Sequence, residues 1–171
     1  MGQNRLQAYR SSFPPVWCLK LSVKKLIFSS LFWISCFQLN AQINLNVGDS
    51  VQIIVPANIF ITPSKITVAR NEVYDIKVYG EWVDAGFPAT DANGFPPNKA
   101  FLMLGRILKR MPLENYMMLC ASINKSHHFS IGTGIKKKMR KTGLLNLYPN
   151  DAKGFFENNE GEMQVIIKRV E

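Results

Sequence analysis

From residue 42 onward the apolar positions come in short runs, at 51–55, 65–69, 73–83, 101–108, 116–122, 129–131, 144–148 and 163–170, separated by clusters of Asn, Gly, Pro and Asp. In Val73-Tyr74-Asp75-Ile76-Lys77-Val78-Tyr79 and again in Met163-Gln164-Val165-Ile166-Ile167-Lys168-Arg169-Val170, apolar or aromatic residues alternate with polar ones. A period of two sends successive side chains to opposite faces of a strand, so these runs predict strands with one buried face. No run shows a convincing helical period. Eight short strands bounded by turn residues predict an all-β chain. Its architecture is two packed antiparallel sheets, a sandwich of the jelly-roll or galactose-binding-domain-like kind. Two segments lack the pattern, 84–99 and 148–162, and long patternless loops on a rigid scaffold are where function is to be sought.

Residues 1–41 read differently. Lys24-Lys25 lead into the apolar run 26–37, followed by Leu39-Asn40-Ala41-Gln42. That is the order of a basic region, an apolar core and a cleavage site, with Leu39 and Ala41 at the −3 and −1 positions. About a dozen apolar residues are too few to span a bilayer as a helix. The expectation is a signal peptide over 1–41 and a domain over 42–171, exported to the periplasm, outer surface or exterior of a bacterium. A buried N-terminal helix is the other reading, disfavoured by Pro14-Pro15 and the lack of acids. Lipidation at Cys36 would place bulky Trp33 at −3. The basic stretch before Lys24 is long for a signal and suggests a start codon further downstream.

The leader changes the meaning of the net charge. The whole chain carries +9, which by itself suggests a nucleic-acid partner. Five of the bases (Arg5, Arg10, Lys20, Lys24, Lys25) and none of the acids fall within 1–41. Without them the balance is 16 bases against 12 acids. Export also argues against nucleic acid. Five of the remaining bases crowd into Lys136-Lys137-Lys138-Met139-Arg140-Lys141, read as a solvated hairpin tip or, alternatively, a polyanion contact. His127-His128 has no Cys, Asp or Glu nearby to complete a zinc site. Once Cys18 and Cys36 leave with the leader, Cys120 has no partner for an intrachain disulfide, and its apolar surroundings suit a small buried hydrophobe.

Chemistry concentrates in Asn150-Asp151-Ala152-Lys153-Gly154-Phe155-Phe156-Glu157-Asn158-Asn159-Glu160-Gly161. A hard cation such as calcium takes six to eight oxygens from carboxylates, amides and main-chain carbonyls. Asp151, the Asn158-Asn159 pair and a Gly154 that lets the chain curl back supply such a set. The same residue types also make ordinary hairpin loops. The pattern is not that of an EF-hand, which needs alternating acidic oxygens and a closing Glu.

The stretch from Leu147 to Val165 resembles the C-terminal ligand-binding loop of the PA-IL-type galactophilic bacterial lectins. There a strand ending in Tyr-Asn-Asp leads through Gly to Asn-Asn-Ser-Gly and a last strand. Gly80-Glu81-Trp82-Val83-Asp84-Ala85-Gly86 is similar to the family's strand followed by Gly-Trp and a turn, and Phe101-Leu102-Met103-Leu104-Gly105-Arg106-Ile107 is similar to its central strand. The resemblance implies a calcium-dependent sugar-binding β-sandwich. Asp151 would be the carboxylate ligand, Asn158 and Asn159 the amide ligands, and Phe155 and Ala85 main-chain ligands. Sugar hydroxyls would complete the coordination beside Asp151, Ala152, Asn158 and Asn159. The family's His-Pro-x-Gln sugar contact is missing, its place taken by Gly94-Phe95-Pro96-Pro97-Asn98-Lys99, which leaves the sugar open between galactose and other glycans. Asp84, Asp91 and Asn93 add oxygens near Ala85 as possible accessory ligands. Phe87 and Phe95 are candidates to stack on a sugar ring or to anchor the loop.

No nucleophile elbow, zinc-protease helix or phosphate loop is present, and no pair of acids has a spacing that recommends glycoside hydrolysis. The reading is therefore a non-catalytic, calcium-assisted, carbohydrate-binding module, in which a homo-oligomer would add avidity. The alternative is an envelope or adhesion sandwich that has lost sugar binding and meets a protein or polyanionic partner.

Overall fold

The computed structural model describes residues 41–171, so the expected signal peptide lies outside the described residues. The alternating runs form strands: β1 (Ser50–Pro56), β2 (Thr62–Val68), β3 (Val73–Val83), β4 (Leu119–Ile123), β5 (His127–Ser130), β6 (Gly134–Lys138), β7 (Gly143–Pro149) and β8 (Glu160–Arg169), with one short helix, α1 (Ala100–Gly105). Two four-stranded antiparallel sheets result, ordered β1-β8-β3-β6 and β2-β7-β4-β5. The protein is an all-β antiparallel sandwich.

Alternation decides what fills the space between the sheets. From β3 and β8 come Tyr74, Ile76, Trp82, Met163, Val165 and Ile167, and from the facing sheet Ile66, Val68, Leu119, Ala121, Leu145 and Leu147, all buried. Each large apolar side chain removed from water contributes roughly 1.5–3 kcal/mol. Cys120 is buried as a small hydrophobe and is a free thiol, pushed up to about 12 by burial and the negative charge of Glu114.

Two expectations are corrected. Residues 101–108 are not a strand: Ala100–Gly105 is helical and Arg106–Leu108 continues as a 3-10 turn. The run Phe-Leu-Met-Leu consists mostly of good helix formers, and a short apolar run does not by its periodicity distinguish strand from helix. The central strand assigned to it is instead β4, between β7 and β5. The cationic run is not merely a hairpin tip, because Lys136–Lys138 belong to β6, an edge strand paired with β3. Lysine on a sheet edge discourages further strand pairing.

Chain order sets where a site can form. The β7–β8 connection carries the chain from one sheet to the other, and β8 begins beside the end of β3, with Glu160 opposite Val83. The loop after β3 and the loop before β8 therefore meet at one end of the sandwich.

Candidate functional site

At that end lies a cavity of about 410 Å³ with two unlike walls. One is made of Asp84, Ala85, Asp151, Ala152 and Asn158; the other of Phe87, Phe101, Leu102, Leu108, Tyr116 and Phe155.

The polar wall is built from chain reversals. Past β3, Trp82 and Thr90 exchange backbone hydrogen bonds (3.1 and 2.9 Å), which closes the loop carrying Asp84 and Ala85. Past β7, the side-chain nitrogen of the buried Asn150 donates to the carbonyls of Met111 and Asn115 (both 2.9 Å), while its oxygen accepts from the Met111 amide (3.2 Å). Asn150 so fastens the 109–116 segment to the ligand loop. Gly154 turns that loop with φ +92°, a conformation that side-chain-bearing residues rarely adopt. The 3-10 turn Phe156–Asn158 then points Phe156 inward, edge-on to Phe60 at 5.0 Å, and leaves Phe155 exposed.

Asp84 and Asp151 are only 8% and 4% exposed, and neither has a cation within ion-pair distance among the described residues. Asp151 accepts hydrogen bonds from the Ala152 amide (2.6 Å) and the Asn159 side-chain nitrogen (2.9 Å), and Asp84 accepts one from the Asn158 side-chain nitrogen (3.3 Å). Burial, then the negative charge of Asp151, pushes the Asp84 carboxyl up to about 6 despite the Asn158 bond. Burial likewise raises Asp151, opposed by its bonds to Asn159 and Ala152 and by the charge of Lys109. Lys109 is itself lowered to about 8, first by burial and next by Arg106. Its ammonium donates to the Glu114 carbonyl and lies 4.0 Å over the Tyr116 ring.

Asn159 sits beneath the cavity floor. Its nitrogen is engaged with Asp151, while its Oδ1 is buried with no partner. A buried amide oxygen without a donor costs about 1–3 kcal/mol, and the amide that carries it is bonded through its nitrogen to Asp151, one of two carboxylates that repel each other at the cavity. Among the described residues no three or more His, Cys, Asp or Glu come together as a metal cluster, so an ion here would draw on two carboxylates and neutral oxygen donors, all of them hard. Two carboxylates, two side-chain amides and nearby main-chain carbonyls suit calcium rather than zinc.

Of the residues singled out from sequence, Asp84, Ala85, Asp151, Ala152, Phe155 and Asn158 line the one cavity, and Asn159 supports it. Asp91 and Asn93 are elsewhere: Asp91 accepts from the Asn93 backbone amide (2.8 Å), and Asn93 Oδ1 accepts from the Thr133 amide (3.3 Å), so both stabilise a turn. Phe87 stacks on Phe95 (4.8 Å) and Phe95 on Tyr116 (6.0 Å); the first ring reaches the cavity and the second anchors it from behind. Sequence reasoning missed the apolar wall given by Leu102, Leu108 and Tyr116. The Tyr116 hydroxyl donates to the Leu102 carbonyl (2.8 Å), holding α1 in place. Clustered turn residues marked the polar loops, but nothing local tied 101–108 to them.

No family model and no curated protein matches this sequence. Among solved structures the chain is similar to the N-terminal domain of EclA, described as a PllA-like lectin. The TM-score is 0.55 and the identity 19%, over 69% of this chain and 94% of that one. At that identity the likeness speaks to architecture, and this sandwich has a lectin-like fold.

Proposed function

We propose that this protein is an exported, non-catalytic, carbohydrate-binding module of the PA-IL kind in which a calcium ion joins the loops after β3 and before β8 to sugar hydroxyls. The observation that carries the reading is the pair of nearly buried carboxylates, Asp84 and Asp151, that line one cavity together with Asn158, Asp151 being held from behind by an Asn159 amide whose oxygen has no partner. The lectin name of the similar solved structure supports the carbohydrate half of the reading.

Asp151 and Asp84 would hold the ion with two formal negative charges, one more than the sequence resemblance implies. Asn158, Asn159 and the main-chain oxygens of Ala85 and Phe155 would supply the neutral donors. When bound, calcium offers coordination positions that vicinal sugar hydroxyls can take. The chain's own residues do the rest. Phe87 and Phe101 present an aromatic wall to the less polar face of a sugar ring, and Asp151 is held from behind by the Asn159 side chain (2.9 Å). Without a His-Pro-x-Gln segment, galactose is one candidate among several glycans.

Calorimetric titration of calcium into the chain from Gln42 onward tests the reading. Heat of binding is expected for the wild type and none for Asp151→Ala; a flat trace for both overturns it. A glycan array with and without chelator then names the sugar, and signal that persists unchanged in chelator rejects the bridging ion.

A further inference from the structure

The segment that proved helical rather than extended has a property that the cavity does not explain. Leu104, Ile107 and Leu113 are 77%, 82% and 87% exposed, and Phe101, Met103 and Leu108 are also more exposed than buried. Isolated exposed apolar residues are unremarkable in a soluble protein, but six large ones within thirteen positions form a patch that wants a partner.

Its charge says which partner. Between Lys99 and Leu113 the sequence carries Lys99, Arg106, Lys109 and Arg110 and no acid. Lys109 is buried and the Arg110 guanidinium is buried against the Phe60 and Tyr148 rings, so the bases left to the patch are the half-buried Arg106, Lys99, 4.8 Å over the Phe87 ring at its edge, and the exposed Lys153, whose backbone N–H donates to the Leu108 carbonyl (3.1 Å). The nearest acid in sequence, Glu114, is only partly exposed, and Glu157 lies exposed on the adjoining loop. Packing this face on a second copy of itself would set like charges against each other, whereas an anionic lipid surface answers both the apolar tips and the bases.

We infer that residues 99–113 form an interfacial membrane contact for anionic phospholipid. No helix among the described residues is long and apolar enough to cross a membrane, so the contact lies on the surface. The patch is presented rigidly: the Asn150 clamp, the Lys109–Ala152 bridge and the Tyr116–Leu102 bond fix the segment to the sandwich. Phe101 and Leu108 belong both to the patch and to the cavity wall. Lipid contact therefore brings the cavity mouth to the headgroup layer.

The test is vesicle co-sedimentation of the chain from Gln42 onward, whose residues form a compact unit with their own core. Chelator is present throughout so that the proposed calcium site plays no part. Wild type is expected to pellet with phosphatidylglycerol vesicles and much less with phosphatidylcholine. Leu104→Glu/Ile107→Glu should lose about tenfold or more of that binding, and Ile107→Ser a smaller part. Asp151→Ala should pellet as wild type does, which separates this proposal from the sugar reading. Wild type that stays in the supernatant, a double variant that pellets equally, or a wild-type dimer that the double variant converts to monomer would each overturn it. Both positions are exposed, so unfolding midpoints should be unchanged, and Ile107→Ser provides the test should the double variant fail to fold.

Discussion

The two ends of the β1-β8-β3-β6 sheet carry opposite charges in opposite circumstances. Where β3 finishes and β8 begins, Asp84 and Asp151 are almost fully buried and hydrogen-bonded to neutral donors, with the buried Lys109 acting on Asp151 from beyond ion-pair distance. Where β3 begins, Lys136, Lys138, Arg140 and Lys141 stand exposed, and Lys136 meets Glu171 at 3.2 Å in an ion pair well open to water. The cationic end is far more conspicuous in the sequence. Yet charges in water are already well solvated, and exposed ion pairs contribute about 0–1 kcal/mol, so these four bases ask for nothing. Two buried carboxylates with no ion pair of their own among the described residues keep a deficit that a bound cation removes. Burial, more than the amount of charge, distinguishes a candidate site from a solvated face.

Breaking the buried end should have the largest effect. Asp151→Ala is expected to weaken calcium by about 100-fold or more, below calorimetric detection, because it removes a carboxylate from a set of few donors. Asp84→Asn should weaken calcium by about tenfold, since a neutral amide of similar shape replaces one of two charges. Calcium affinity of the wild type should fall by about tenfold as pH drops through about 6 and Asp84 becomes protonated, then level off, and titrations across pH should show that step missing in Asp84→Asn.

Stability provides a sharper form of the same contrast. The Asp84 carboxyl is raised above its unfolded value of 3.8 to about 6, so the folded state holds the proton more tightly. Its contribution is fully present below pH 3.8 and is lost as pH rises through about 6. Unfolding in chelator should therefore show the carboxylate pair costing stability at pH 7. Calcium, or Asp84→Asn, should restore it. The smallest effect belongs to the exposed end, where Lys138→Glu/Lys141→Glu should leave both calcium affinity and the pH step within error. A several-fold change there would mean that the two ends are coupled.

Legibility followed the same division. β3 spans the predicted residues 73–83 because Tyr74, Ile76, Val78 and Trp82 keep a two-residue period on its buried face and it pairs along its length with β8 and, over 73–77, with β6. β6 hid behind its lysines, yet Ile135 packs against the core while Lys137 reaches over the Phe129 ring at 4.7 Å. Asp151, Asn158 and Asn159 were readable as oxygen donors from their spacing on one loop. Asp84 was tied to them only as a possible accessory ligand through the family resemblance, because the two loops are 67 positions apart and the pairing of β3 with β8 brings them together. Asn150 was legible only as a turn residue, and its part as a clamp on Met111 and Asn115 depends on where a distant segment comes to rest.

By itself the chain's order of apolar and polar residues determined the strands, the sandwich and the loop that holds most of the oxygens. Those are local consequences of a two-residue period and of turn chemistry. Tertiary structure decided that residues 101–108 coil into a helix with its apolar tips in solvent. It also decided that Asp84 faces Asp151 out of water and that an amide oxygen is left without a donor. Burial belongs to no residue alone, and it is burial that turns two ordinary aspartates into a place for a cation.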